Sequence, residues 1–290
     1  MARILLIGKN GQLGWELQCT LATLGELSAV DFPEIDLENP KSACNLIRQI
    51  RPQVVVNAAA YTAVDQAETE QERARKINAI APGILAEETR KLKAILVHYS
   101  TDYIFDGKKG SPYVEEDAPN PLSFYGRSKL EGERLVQQAG GTYLILRTSW
   151  VYSLRQKSGF VNKVMHWARQ QETLRVVDDQ VANPTWARML AEITAQVLAR
   201  GSQQIRDHSG FYHLAGSGFA SRFDWAKLIL ELDPDKKEQR VREILPALTN
   251  EFPTPAERPL FSALDCDHFA TTFGLCLPPW EAALRMAMDR

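Results

Sequence analysis

Residues 4–14 read ILLIGKNGQLG. A short run of Ile and Leu passes through closely spaced glycines into a helical pattern, and that order of local signals restricts the chain more than any other feature. The run Ile4–Ile7 has no polar alternation, so it suits a strand covered on both faces, as in a parallel sheet, better than one wet on one side. Similar runs recur at Leu27–Val30, Val54–Asn57, Ile95–Tyr99, Tyr143–Thr148, Arg175–Val177 and Phe211–Leu214.

Helical patterns lie between these runs. Leu13, Leu17, Leu21 and Leu24 recur every three or four positions and make one apolar stripe. Pro40 fits the first turn of a helix running to about Ile50, and Pro52 stops it. Strand–helix alternation predicts a doubly wound α/β fold on a parallel sheet, a Rossmann-type arrangement. After about Ser149 the texture changes to helical segments at Gly159–Gln171 and Ala220–Leu232 and a proline-rich tail. This predicts a Rossmann unit over 1–148, with returning segments about 175–216, and a smaller substrate lobe from 149–174 and 217–290.

The formal net charge of −2, with 34 basic and 36 acidic residues, leaves no concentrated basic surface for a nucleic acid. No apolar run approaches the roughly 18 to 20 residues needed to span a bilayer, and the segment MARILLIGKNG does not read as a signal peptide. Cys19, Cys44, Cys266 and Cys276 are scattered and the 5 histidines show no ligand spacing. Reduced thiols, no metal site and a cytoplasmic location are the expectation.

Gly8, Gly11 and Gly14 form GxxGxxG between the first strand and the first helix. Gly8 permits the tight turn, Gly11 lets backbone N–H groups approach a pyrophosphate, and Gly14 lets helix and strand pack closely. The helix N-terminus then offers unpaired N–H groups and its positive dipole end to the anion. A dinucleotide site is therefore expected here. Asp31, at the end of the second run, is placed to accept hydrogen bonds from an adenosine ribose, which favours NADH unless a cation such as Lys9 offsets its charge.

Tyr125 and Lys129 stand four positions apart at the start of a helical stretch and so share one face. An ammonium beside a phenol favours phenolate and lowers its pKa, which would make Tyr125 a usable acid–base group. Ser100, Thr101 and Asp102 follow the fourth run, at the strand end where ligands bind in such sheets. Thr101, Tyr125 and Lys129 together suit reduction of a carbonyl, with hydride from a nicotinamide and a proton from the phenol. The Tyr–Lys spacing alone would prove nothing.

These features resemble the extended short-chain dehydrogenases/reductases. Across nearly the whole chain, the segments GKNGQLGWEL, VVVNAAAYTAVDQAE, VHYSTDYIFDG, YGRSK, RTSWVY, DDQVANPT and TPAERPLFSALD resemble, more narrowly, the dTDP-4-dehydrorhamnose reductase family. The resemblance implies reduction of dTDP-4-dehydro-L-rhamnose to dTDP-L-rhamnose by NADPH or NADH, the last step of dTDP-rhamnose synthesis. It implies that Gly11, Gln12 and Leu13 hold the pyrophosphate and that Asp36 and Leu37 flank the adenine. Ala60, Tyr61, Thr62 and Tyr99 would line the rest of the cofactor channel, with Lys129 on the cofactor ribose. Thr101 and Asp102 would meet the sugar, Trp150 would border it, and Val64 is a weaker candidate on that side. The implied partner is a dTDP-sugar, without nucleic acid or membrane, and a homodimer is compatible.

Two departures stand out. Ala182 replaces a glycine common in the DDQxGxPT stretch. Some members bind magnesium at a dimer interface through glutamates; Glu16 is present here, but Arg188 stands where such a member has a second glutamate, and a cation there would repel the metal. Another sugar-nucleotide epimerase or reductase of the superfamily stays open as an alternative, as does a non-enzymatic dinucleotide-binding regulatory subunit. A 4,6-dehydratase would carry an acid after Thr101-Asp102, where Tyr103 stands.

Overall fold

The computed structural model describes residues 2–155 and 159–289. Its centre is a parallel sheet of β1 (Ala2–Ile7), β2 (Gly25–Val30), β3 (Val54–Asn57), β4 (Ile95–Thr101), β5 (Thr142–Thr148) and an edge strand, Gly210–His213. The spatial order is β2, β1, β3, β4, β5 and the edge strand, with every neighbouring pair parallel. The expected return of Phe211–Leu214 to the sheet is thus met by that edge strand.

Apolar residues at every position of a strand need cover on both faces, because successive side chains point opposite ways. Ile4 and Leu6 of β1 join Val56, Val97 and Leu144 on one face, under α1 (Gln12–Leu21) and the helix Ala187–Ala199. Leu5 and Ile7 join Val55, Leu96 and Ile145 on the other, under α2 (Pro40–Ile50) and two later helices. Leu13, Leu17 and Leu21 supply the expected stripe of α1, while Leu24 lies past its end, partly buried against the same core.

On the second face the chain runs through α3 (Gln71–Arg75), a π-helical turn at Lys76–Ile80 and α4 (Ala81–Lys91). Asn78 in that turn accepts from Tyr61 N at 2.8 Å and donates to Tyr61 O and to Ser128 Oγ, each at 3.0 Å. It pins the loop after β3 against α5 (Phe124–Ala139), the helix that carries Tyr125 and Lys129.

A separate apolar cluster gathers Tyr152, Val161, Val164, Leu174, Val176, Trp225, Ile229, Trp280 and Leu284. The strand expected at Arg175–Val177 forms as Thr173–Val177, but outside the central sheet, paired in parallel with Glu243–Ala247. Its burial explains why. Leu174 and Val176 are buried while Thr173 and Arg175 are exposed, so only one face could ever be covered. The late helix Asp267–Phe273 places Phe269 and Phe273 in the core of the central sheet. Among the described residues, no helix is long and apolar enough to cross a membrane.

Candidate active site

β2 lies on one side of β1 and β3 on the other, so the connections after β1 and β3 diverge at the carboxyl end of the sheet. Open α/β sheets form their ligand crevice at such a point. Here it is a cleft of about 400 Å³. Gly8, Gly11, Gln12 and Leu13 form one wall. Asp31, Ala58–Ala60 and Thr62 continue the lining, and Tyr99–Asp102, Tyr125, Lys129 and Thr148–Val151 complete it.

The glycine turn fits an anion. Gly8 has φ of +93°, and a Cβ there would stand 2.7 Å from Ala59 N. At Gly14 a Cβ would fall 1.8 Å from Gly8 O, so this glycine serves the close helix–strand approach and does not line the cleft. Gly11 caps α1 with no side chain over the helix end. The turn therefore leaves backbone N–H groups and the dipole end facing the cleft, as pyrophosphate binding needs. The Gln12 amide instead ties the turn to the segment after β5, accepting from Ser153 N at 2.8 Å.

Asp31 accepts from Asn10 N at 3.0 Å and from Phe32 N at 2.9 Å. Lys9 does not offset it: its ammonium pairs with Glu34 at 2.6 Å. Asp36, Leu37, Tyr61 and Val64 lie outside the lining. Asp36 closes a local turn onto Glu38 N, Leu37 packs with the core near α2, and Tyr61 is held by Asn78. Tyr99 reaches the cleft, but its hydroxyl shares a 2.7 Å hydrogen bond with Thr194.

Lys129 is 1 % exposed. Its ammonium donates to Tyr99 O at 2.7 Å and lies 3.4 Å from His98 Nε2. Burial pulls its pKa down to about 8, partly countered by Glu133. Burial and the Lys129 charge hold His98 neutral, and its Nδ1 meets Asn57 Nδ2 at 3.1 Å. One sequence expectation is corrected here. Tyr125 is pushed up from the ordinary phenol value, by burial first, with the Thr101 hydroxyl pulling the other way. Lys129 spends its hydrogen bonds on β4 rather than on the phenol. Near neutral pH Tyr125 is therefore a neutral acid, not an incipient phenolate.

Thr101 ends β4 and accepts from Tyr103 N at 3.2 Å, which turns the chain. Its hydroxyl donates to Asp102 Oδ1 at 3.1 Å, and Ser262 donates to Asp102 Oδ2 at 2.5 Å. Burial raises the Asp102 carboxyl to about 6 against these hydroxyls. Trp150 has φ of +39°, a costly conformation for a bulky residue. It is held by stacking 5.5 Å from Trp225 and by the Arg222 guanidinium 4.1 Å above its ring. Glu16 and Arg188 approach to 3.5 Å as an ion pair.

Ser100 lines the cleft as its place after the fourth run suggested, while Ala58, Ala59, Thr148, Ser149 and Val151 also line it without having been singled out. His98 was missed too, although a polar residue inside the apolar run of β4 is a readable signal. A second cleft of about 530 Å³ lies in the region of the Trp225 cluster. Phe160, Lys163, Trp167, Arg175, Gln180, Arg222, Phe252 and Arg258 are among its lining.

With this geometry established, the comparisons with known proteins decide the kinship. Residues 2–290 match the family described as RmlD substrate binding domain. The chain belongs to this family. A dTDP-4-dehydrorhamnose reductase of Burkholderia thailandensis is 40% identical, over 99% of this chain and 98% of that protein. The crystal structure of a family member from Clostridium acetobutylicum, also described as a dTDP-4-dehydrorhamnose reductase, superposes with a TM-score of 0.91 at 35% identity, covering 99% of this chain and 98% of that one. The enzyme of that description from Bacillus anthracis, solved with NADP, gives a TM-score of 0.89 at 33% identity, with 98% of each chain covered.

Proposed function

We propose that this protein reduces dTDP-4-dehydro-L-rhamnose to dTDP-L-rhamnose, using NADPH or NADH. The observation that carries the reading is the joining of Thr101, Tyr125 and Lys129 to the glycine turn in one cleft. The family's full-length relatives supply the substrate. In this reading the sheet unit carries the cofactor and the lobe around Trp225 carries the sugar nucleotide.

Gly11, Gln12 and Leu13 would hold the pyrophosphate through backbone N–H groups, and Asp31 the adenosine ribose. A reduced nicotinamide bound there would supply the hydride for C4 of the sugar. Tyr125, kept neutral by burial, gives its proton to the C4 oxygen as charge develops there. The Thr101 hydroxyl orients that oxygen beside the phenol. Lys129, fixed by Tyr99 O, presents positive charge to the cofactor ribose side of the cleft. Asp102 anchors Thr101 and limits how its hydroxyl can turn.

The test is direct. Purified protein is given dTDP-4-dehydro-L-rhamnose with NADH or NADPH, the loss of reduced-nicotinamide absorbance is followed, and the sugar formed is identified. Stoichiometric oxidation with dTDP-L-rhamnose as product supports the reading. Absence of turnover with both cofactors, in protein that binds them, contradicts it.

A further inference from the structure

Arg222 opens the helix Arg222–Leu232 and lines the second cleft, while its guanidinium lies over the ring of Trp150, which lines the first. It is clasped by a second aromatic, Phe160, at 5.1 Å, and its Nε donates to the neutral Gln180 Oε1 at 3.1 Å. The other arginines of that cleft have acids: Arg258 pairs with Asp65 at 2.7 Å, and Arg175 with Glu251. Among the described residues, Arg222 has no such ion pair. Asp102 adds to its field, but both oxygens of that carboxyl already receive hydroxyls.

A guanidinium cannot shed its proton to escape burial. Half-buried here, it has its charge disfavoured by desolvation, with the Tyr103 phenol and the more distant Asp102 acting the other way and no carboxylate in direct contact. Such a group is stabilised by an anion, and its planar fork matches phosphate oxygens in a bidentate grip.

The position selects the anion. The Tyr103 ring stands 5.7 Å from the Tyr125 ring, edge to face, and its phenol acts in turn on Arg222. Arg222 is thus one aromatic ring beyond the proton donor. With the C4 oxygen at Tyr125, the group on C1 leaves from the opposite side of the sugar ring. We infer that Arg222 anchors the diphosphate of the sugar nucleotide, straddling the two clefts and setting the distance between the base and the reacting carbon. The inference rests on the sugar-nucleotide reading above and adds a specificity-determining residue to it.

Isothermal titration of dTDP and of NADPH against wild type, Arg222→Met and Arg222→Lys tests the anchor. Removing one partner of a half-buried charged contact should weaken dTDP binding about 30-fold or more in the Met variant. The Lys variant should recover part of that loss, and NADPH affinity should hold in both. A Met variant that binds dTDP as wild type does overturns the anchor alone. Equal losses of dTDP and NADPH assign Arg222 to packing and also overturn it. Wild type that binds NADPH but not dTDP overturns the sugar-nucleotide reading and the anchor with it.

Discussion

The hydroxyl of Ser262 donates to the Asp102 carboxylate at 2.5 Å, across 160 positions of sequence. This contact joins the carboxyl end of β4 to the tail segment and buries an acid directly beside Thr101. Desolvation raises Asp102 from 3.8 to about 6 even with its hydroxyl donors. Between those values the folded chain holds a proton that the unfolded chain has lost, so stability falls as pH rises through that window. By pH 8 the full cost, about 3 kcal/mol, is in place. Asp102→Asn should therefore unfold at higher denaturant concentration than wild type at pH 8, with the advantage shrinking toward zero near pH 4. A variant less stable at pH 8 would show that the ionised carboxylate is favourably held.

Lys129 gives an alkaline limb. Its amine, brought down to about 8, loses its charge as pH rises past that value. The pH profile of kcat/KM reports groups of the free enzyme, and it should fall above pH 8. Lys129→Met should be slower throughout, by about 10²-fold or more, and lack this limb. A wild-type profile flat to pH 10 would remove the Lys129 charge from the mechanism.

Asp31 leaves the end of the cleft proposed to take the adenosine ribose acidic, because Lys9 is already engaged by Glu34. A 2′-phosphate would meet net repulsion there. Asp31→Ala should shift the ratio of NADPH to NADH affinity about tenfold toward NADPH. Equilibrium titration of both cofactors checks this, and unchanged selectivity would exclude Asp31 as the discriminating group.

Much of this was legible in the chain because the signals are local. GxxGxxG between an apolar run and a helix located the cleft, and the four-residue spacing of Tyr125 and Lys129 put both on its wall. The hydroxyl cluster at the end of β4 marked the opposite edge. What stayed hidden depends on tertiary partners. That Lys129 bonds Tyr99 O follows from how α5 docks on β4, and that docking also removes its expected hold on Tyr125. Asp36 and Leu37 are spent on a local turn and the core, as nothing in their spacing announced. The alternation at Thr173–Val177, by contrast, was readable as a one-sided strand. Arg222 and Ser262 draw their meaning from residues far away in sequence.

The central claim is that a neutral, partly buried Tyr125 delivers the proton to the sugar oxygen. The decisive measurement is single-turnover reduction of dTDP-4-dehydro-L-rhamnose by Tyr125→Phe, with NADPH affinity measured on the same sample. The account predicts a rate lower by about 10²–10⁴ with NADPH binding unchanged. Reduction at the wild-type rate would contradict it, since the proton would then come from another group.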